Sequence, residues 1–197
     1  MKFDILGHDS RRKLVHIGLG TLFVVFIPFI AQERYILILL GMMVLALLLS
    51  IFTKYKKPKL IINFLKYFDK PKDLANFPGK GAVYYLISAF IAISLFEKNI
   101  ASAALIILAV GDPAAYFFGR YYGKNKIIIN PRKLLEGTLA GIFFGTLAAS
   151  LFIPFKIAFF GAVAGMIAEA IDLEGLNLDD NLTIPLTAGL VLSYFLR

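Results

Sequence analysis

The segment IASAALIILAVGDPAAYFFGRYYGK, from Ile100 to Lys124, carries a carboxylate inside an apolar run. The run has the composition of a membrane-spanning helix, which needs about 20 predominantly apolar residues. Asp112 stands within it, between Gly111 and Pro113. An ionisable side chain inside a membrane helix is costly, so it marks a functional site whose partners have to be identified. This segment therefore predicts both the class of fold and the centre of its site.

The rest of the chain repeats this apolar character. Of its 197 residues, 59% are hydrophobic and 17% are charged, whereas about 25% are charged in a typical soluble domain. We predict an all-α, polytopic integral membrane helical bundle that forms a single domain over residues 1–197. Its transmembrane helices, about seven in number, are expected at 14–31, 35–53, 82–96, 100–119, 136–154, 156–172 and 182–196.

Basic residues fall mostly on one side of this predicted bundle. They cluster near the N-terminus and in two long connections, residues 54–80 and 120–133. By the positive-inside rule, the N-terminus and both connections are expected to be cytoplasmic. Within the first loop, KLIINFLKYF (Lys59–Phe68) is too short to span and mixes lysines with apolar residues. That pattern is typical of a helix lying in the membrane interface. The exceptions on the other side are Arg34, Lys98, Lys156 and Arg197.

Composition also excludes several classes of function. The chain has no cysteine, which rules out thiolate catalysis, cysteine-ligated zinc and disulfides. Its net charge of +8, in so apolar a chain, favours phosphates or anionic headgroups over nucleic acid. Gly137, Gly141 and Gly145 are spaced four apart, which lets helix backbones approach closely in lipid. This glycine face could serve packing within the bundle or a homodimer.

Acidic residues collect at the predicted cytoplasmic ends of the last four helices. Carboxylates that converge beside basic groups suit a divalent cation and phosphates, because Mg²⁺ takes oxygen ligands and usually keeps only one or two carboxylates. Structural roles are open for some of them. Glu136 could favour the start of its helix electrostatically, and Asp180 or Asn181 could cap the last helix. The residues concerned are Asp112, Glu136, Glu169, Asp172, Glu174, Asp179 and Asp180.

Basic groups stand at matching positions. Arg12 and His16 are four residues apart and share one face at the start of the first helix, with Gly20 one turn further along. In FPGKGA (Phe77–Ala82), Lys80 lies between two glycines. Such a segment can offer backbone N–H groups and an ammonium to a phosphate, although its spacing is not that of a Walker A loop. Arg12 and Lys80 could instead extend to lipid headgroups.

Five segments in this order resemble the CTP-dependent lipid kinase family, which includes dolichol, phytol and farnesol kinases and a CTP-using diacylglycerol kinase. The resemblance covers Arg11 to Gly189 and departs from the family at Leu134, where a Ser or Thr usually follows the lysine. It implies phosphoryl transfer from CTP to a membrane lipid hydroxyl, with a divalent cation, on the cytoplasmic side. The segments are RRKLVHIGLG (11–20), FPGKGA (77–82), GDPAAYFFGRYYGK (111–124), RKLLEGTLAG (132–141) and DDNLTIPLTAG (179–189).

The resemblance implies that Asp112, Lys124, Lys133, Glu136, Asp179 and Asp180 bind the nucleotide and the metal. A mechanistic hypothesis built on it assigns the individual roles. Asp112 with Asp179 or Asp180 is expected to hold Mg²⁺ against the CTP phosphates. Glu136 or one of the two aspartates is expected to orient or deprotonate the lipid hydroxyl. An apolar groove for the lipid is expected among the helices at 14–31, 136–154 and 156–172. The expected nucleotide-binding residues are Arg12, His16, Lys80, Gly111, Lys124, Lys133 and Asn181.

The working hypothesis is therefore a kinase for an isoprenoid alcohol of the dolichol, polyprenol or geranylgeraniol type. One alternative is a CTP-dependent cytidylyltransferase that makes a CDP-lipid from a lipid phosphate, since it would use the same nucleotide and cation. A transporter is a weaker alternative, because it would spread ionisable residues along a path across the bilayer. The residues themselves do not identify the lipid, and the preference for CTP follows from the resemblance alone.

Overall fold

The computed structural model describes residues 7–67, 69, 71–171 and 179–196, and these form an all-helical fold. Within the described residues, each of the seven predicted segments is mostly helical, and so is the predicted interfacial segment. Asp172 and Glu174, predicted to belong to the acidic group, lie outside the described residues. The helices are α1 (His8–Val25), α2 (Gln32–Lys56), α3 (Lys59–Leu65), α4 (Pro71–Asn76), α5 (Lys80–Leu95), α6 (Lys98–Ile106), α7 (Asp112–Tyr122), α8 (Leu135–Ala149), α9 (Phe155–Ile171) and α10 (Asp180–Phe195).

Among the described residues, three helical stretches are long and apolar enough to cross a membrane. They are Asp9–Phe29, Gln32–Lys56 and Lys98–Tyr122. The helix α5 has 16 residues, which at about 1.5 Å per residue gives about 24 Å, less than the ~30 Å hydrocarbon core of a bilayer. The helices α8, α9 and α10 are of similar length. That these four also span the membrane stays a prediction.

The helix that carries Asp112 forms the centre of the bundle. A π-helical turn, Ile107–Gly111, joins α6 to α7 and makes them one continuous rod. Every residue from Ile100 to Ala109 is buried, because α1, α5, α8, α9 and α10 all pack against this rod. Alanines at many of its positions allow the neighbouring helices to approach closely. Asp112 consequently follows a buried stretch of this rod and is itself buried.

The glycine face of α8 is used inside this chain. A Cβ atom added at Gly137 would lie 2.5 Å from the carbonyl oxygen of Ala115, and one at Gly141 would lie 2.9 Å from that of Gly111. These distances leave no room for a side chain, so α8 packs backbone to backbone against the central rod. The intramolecular reading of the glycine spacing is confirmed.

The position predicted for an apolar groove was right for the helix at 14–31, which lines it, and wrong for the helices at 136–154 and 156–172, which do not. The helices α8 and α9 pack against each other and against the central rod, because their small residues close the space between them. The apolar part of the main cavity lies instead between α1, α2 and α5.

Candidate active site

Asp112 begins α7 directly after the π turn. Pro113 has no backbone N–H and cannot donate a helical hydrogen bond, and π turns of this kind occur frequently at functional sites. The carboxylate is only 5% exposed, and its Oδ2 accepts a hydrogen bond from the Lys13 Nζ at 2.5 Å. The costly buried charge thus has a cationic partner on α1.

Asp112, Glu169 and Asp180 form the carboxylate cluster of this structure. They come from α7, α9 and α10, and one carboxylate oxygen of each lies within 4.8 Å of the others. The Lys133 ammonium donates a hydrogen bond to the Glu169 Oε1. The same Nζ lies 3.7 Å from the Asp180 Oδ2. Because like charges at this separation repel, Lys13 and Lys133 are needed to balance the cluster.

The electrostatics around Lys133 and Asp180 reflect this crowding. Burial alone would lower the pKa of Lys133, but Glu169 and Asp180 raise it to about 12, so the side chain stays an ammonium. Burial raises the pKa of Asp180 to about 7, in spite of the opposing effect of Lys133. A cation bound at Asp180 would favour its charged form.

The carboxylate cluster fits a divalent cation. The Glu169 side chain is 6% exposed, and its Oε2 is buried without a hydrogen-bond partner among the described residues. A buried polar oxygen without a partner is costly, and a cation at the cluster would remove that cost. Carboxylate oxygens are the ligand type that Mg²⁺ prefers.

Two residues of the cluster, Asp112 and Asp180, line one end of a cavity of about 1090 Å³, whereas Glu169 and the predicted Lys133, which contacts it, do not line the cavity. The opposite part is apolar and is lined by side chains of α1 and α2, including Leu22 and Met42. The cavity therefore suits a molecule with one polar end and one apolar part. Its polar end is lined by Lys13 and by the predicted residues Arg12, His16, Lys80, Asp112, Asp179, Asp180 and Asn181.

Two predicted polar residues take other positions. The Glu136 carboxylate accepts hydrogen bonds from Asn125, at 3.1 Å from its backbone nitrogen and 2.8 Å from its Nδ2. It thereby holds the loop between α7 and α8 and does not line the cavity. Lys124 is exposed in the same loop. Gly111 does not line the cavity either, because it packs against the carbonyl of Gly141.

Asp179 caps the last helix. Its Oδ1 accepts from the backbone nitrogen of Asn181 at 3.1 Å and from the Asn181 Nδ2 at 2.7 Å, while its Oδ2 lies 3.8 Å from the Lys80 Nζ. The N-cap of α10 is therefore Asp179, and not Asp180 or Asn181 as predicted. Asp179 lines the cavity, but it is not one of the three residues of the carboxylate cluster.

The sequence does not predict Lys13 as a site residue, and it predicts Glu169 only as one of the acidic group and not as a ligand. Lys13 precedes His16 by three residues, so helical spacing alone would have placed both on one face. Glu169 had no such local signal. Its position depends on the packing of α9 beside α7 and α10, which no local pattern predicts.

Fold and site together define a class: an all-helical protein with membrane-length helices, in which carboxylates and lysines meet at the polar end of a partly apolar cavity. The chain belongs to the family described as the cytidylyltransferase family, whose model matches residues 9–195. No solved structure matches the chain.

Three curated proteins that are similar to this chain are named as lipid kinases. A probable phytol kinase 2 of Oryza sativa is 30% identical over 96% of this chain and 67% of its own length. The farnesol kinase of Arabidopsis thaliana is 27% identical over 96% and 66%. A CTP-dependent diacylglycerol kinase 1 of Schizosaccharomyces pombe is 31% identical over 57% and 58%. The chain thus spans about two thirds of the length of the plant relatives. These matches confirm the resemblance to CTP-dependent lipid kinases and the prediction of an enzyme.

Proposed function

We propose that this protein transfers the γ-phosphoryl group of CTP to the hydroxyl of a membrane isoprenoid alcohol, of the dolichol, polyprenol or geranylgeraniol type, on the cytoplasmic side. The observation that carries the proposal is the carboxylate cluster, which three helices bring together at the polar end of a cavity with an apolar continuation. The relatives named as phytol, farnesol and diacylglycerol kinases support a lipid alcohol as acceptor.

Asp112, Glu169 and Asp180 are the residues that would hold a divalent cation. When bound, the cation would neutralise charge on the CTP phosphates, which is the main electrostatic requirement of phosphoryl transfer. Asp112 and Glu169 are both deeply buried and belong to the packed helices α7 and α9. The chain therefore supplies these ligands from rigid elements rather than from mobile loops.

The basic residues at the polar end would pair with phosphate oxygens. Lys13 and Lys133 already lie against the carboxylate cluster, and Arg12, His16 and Lys80 line the surrounding wall. The buried Arg12 Nε and His16 Nε2 have no hydrogen-bond partner in the described structure, and both residues line the cavity. Their role is to position the donor and to balance its charge.

Asp180 is the carboxylate that we assign to the acceptor hydroxyl. It lines the cavity, whereas Glu136, the other predicted candidate, is engaged with Asn125. A carboxylate within reach of the hydroxyl can orient it and accept its proton during transfer. Little further covalent chemistry is required of the protein, because the phosphoryl transition state is stabilised mostly by positioning and charge.

A cytidylyltransferase is the second candidate, and the description of the matched family favours it. It would use the same carboxylate cluster and nucleotide, but its lipid substrate would already carry a phosphate. Transport is less favoured, because the charged residues described above gather at one end of the cavity and do not follow a path along it.

Purified protein with Mg²⁺ and CTP labelled separately at the α- and γ-phosphates distinguishes the two reactions. We expect geranylgeraniol or a polyprenol to acquire the γ-label, with release of CDP. Incorporation of the α-label into a lipid phosphate, with release of pyrophosphate, would overturn the kinase proposal. A panel that crosses lipid alcohols with CTP, ATP, GTP and UTP then identifies the acceptor and donor.

A further inference from the structure

The apolar part of the cavity is a groove between helices that do not pack tightly together. The helix α1 packs on α6, the π turn and α7, whereas α2 packs on α5. The space left between these two groups is lined by Leu19, Leu22 and Phe26 on one side and by Ile38 and Met42 on the other. We call this space the α1–α2 groove.

The α1–α2 groove is open along its side. Leu19 is 63% exposed and Leu22 is 55% exposed, and Ile38 on the facing helix is 45% exposed. Large apolar side chains that line a cavity and are also exposed indicate an opening toward an apolar environment, which for membrane-length helices is the lipid. The lining runs along α1 from Arg12 to Phe26, about 21 Å at the rise of an α-helix, or most of the ~30 Å hydrocarbon core.

Two tyrosines limit the width of the groove. The Tyr35 hydroxyl donates a hydrogen bond to the Phe23 carbonyl oxygen at 2.7 Å, and the Tyr85 hydroxyl donates to that of Gly20 at 3.2 Å. The Phe23 ring packs edge-on against both tyrosine rings, with centroid distances of 5.6 Å and 5.9 Å. These contacts tie α2 and α5 to α1, so the groove cannot widen freely.

We infer that the α1–α2 groove holds the single long apolar tail of the acceptor, which enters sideways from the lipid and places its hydroxyl at the carboxylate cluster. The groove residues, Asp112 and Asp180 line one cavity, so a molecule in the groove has its polar end beside Asp112. The hydrogen bonds from Tyr35 and Tyr85 hold α2 and α5 to α1, which favours one tail over the two tails of a diacylglycerol. This inference rests on the proposed function, since it names the subsite for that acceptor.

Two tryptophan substitutions on α2 test the inference. Met42 and Leu40 are both 40% exposed, but two residues on a helix are turned by about 200°, and only Met42 lines the groove. We expect Met42→Trp to raise the KM for geranylgeraniol about tenfold or more, as loss of acceptor binding should. The KM for CTP and the activity on a five-carbon prenol should stay at wild-type values. Leu40→Trp should behave as wild type throughout.

An unchanged KM for geranylgeraniol in Met42→Trp would overturn the inference. So would equal losses with geranylgeraniol and the five-carbon prenol, or diacylglycerol competing as well as a single-tailed alcohol of similar length. Measuring the thermal unfolding of both variants excludes misfolding as the cause.

Photolabelling separates this inference from the proposed function. A geranylgeraniol probe with a diazirine in its tail should label peptides of α1 and α2, and Met42→Trp should reduce that labelling. Labelling concentrated on α8 and α9 would overturn the inference. If the probe labels the groove while no alcohol is phosphorylated, the proposed function fails and the tail site stands.

Discussion

Asp112 is a buried carboxylate that accepts a hydrogen bond from the Lys13 ammonium and lies among the polar residues of the cavity wall. Its charge within an apolar run was enough to predict a site, and the structure places it in a cavity wall with Arg12, His16, Lys80 and Asp180. Its partners were harder to predict, because Lys13 is 99 positions away in the chain. Glu169 reaches the cluster only through the packing of α9. Spacing rules therefore identify residues that share a helix face, and they do not identify contacts between helices distant in sequence.

Replacing Glu169 by glutamine tests its place in the carboxylate cluster. Glu169→Gln keeps the shape of the side chain but removes the charge, so we expect Mn²⁺, used as a probe for the cation, to bind about 10 to 100 times more weakly. Kinase activity should fall with it. Binding is followed by electron paramagnetic resonance of the free ion.

Glu97→Gln is the matched control, since Glu97 is an exposed residue at the start of α6, outside the cavity lining. The control should bind Mn²⁺ as wild type does. Equal Mn²⁺ affinity in Glu169→Gln and wild type would contradict the role of Glu169 as a cation ligand.

At the scale of elements, the helices followed closely from composition, while their arrangement did not. The length of each apolar run predicted a helix, and the four-residue glycine spacing predicted close packing of α8. Two of the three helices predicted to line the groove, α8 and α9, do not line it, because small residues permit two outcomes, an open space or a close contact. In α8 they give contact, with Gly137 against Ala115. Only knowledge of the neighbouring helix decides between the two.

Adding a methyl group at Gly137 tests this packing. The new Cβ of Gly137→Ala would lie 2.5 Å from a backbone oxygen, so we expect the free energy of unfolding to fall by about 1–3 kcal/mol, as for other overpacked sites. Gly41→Ala is the control, because no atom lies within 4 Å of the added Cβ and alanine is the better helix former by about 0.5–1 kcal/mol. Denaturant titration in mixed micelles measures both, and equal stabilities would contradict the close contact.

At the scale of the whole molecule, the charged residues that line the cavity are concentrated at one end of it. Lys13, Asp112 and Asp180 line the polar end of a cavity whose other part is apolar, and the central rod is buried from Ile100 to Ala109. Hydropathy anticipated this division, since the basic loops and the acidic helix ends were both placed on one side of the predicted bundle. It could not say which helices would enclose the cavity, because all of them are apolar.

The absence of cysteine makes the orientation directly measurable. Ile128, in the loop between α7 and α8, is 96% exposed, and Leu151, in the turn between α8 and α9, is 81% exposed. In intact cells, a membrane-impermeant thiol reagent should label Leu151→Cys. Ile128→Cys should react with this reagent only after the membrane is permeabilised, because its loop is expected to be cytoplasmic. The reverse pattern would contradict the proposed orientation.

The central claim is that the carboxylate cluster carries phosphoryl transfer from CTP to a lipid alcohol. The most direct measurement compares γ-labelled phosphate transfer to geranylgeraniol by wild type and by Asp112→Asn, with saturating Mg²⁺ and with unfolding monitored in parallel. Loss of a charge-stabilising group in the site should reduce the rate about 100-fold or more while the protein remains folded in the membrane. A folded Asp112→Asn protein that transfers label at the wild-type rate would contradict the account.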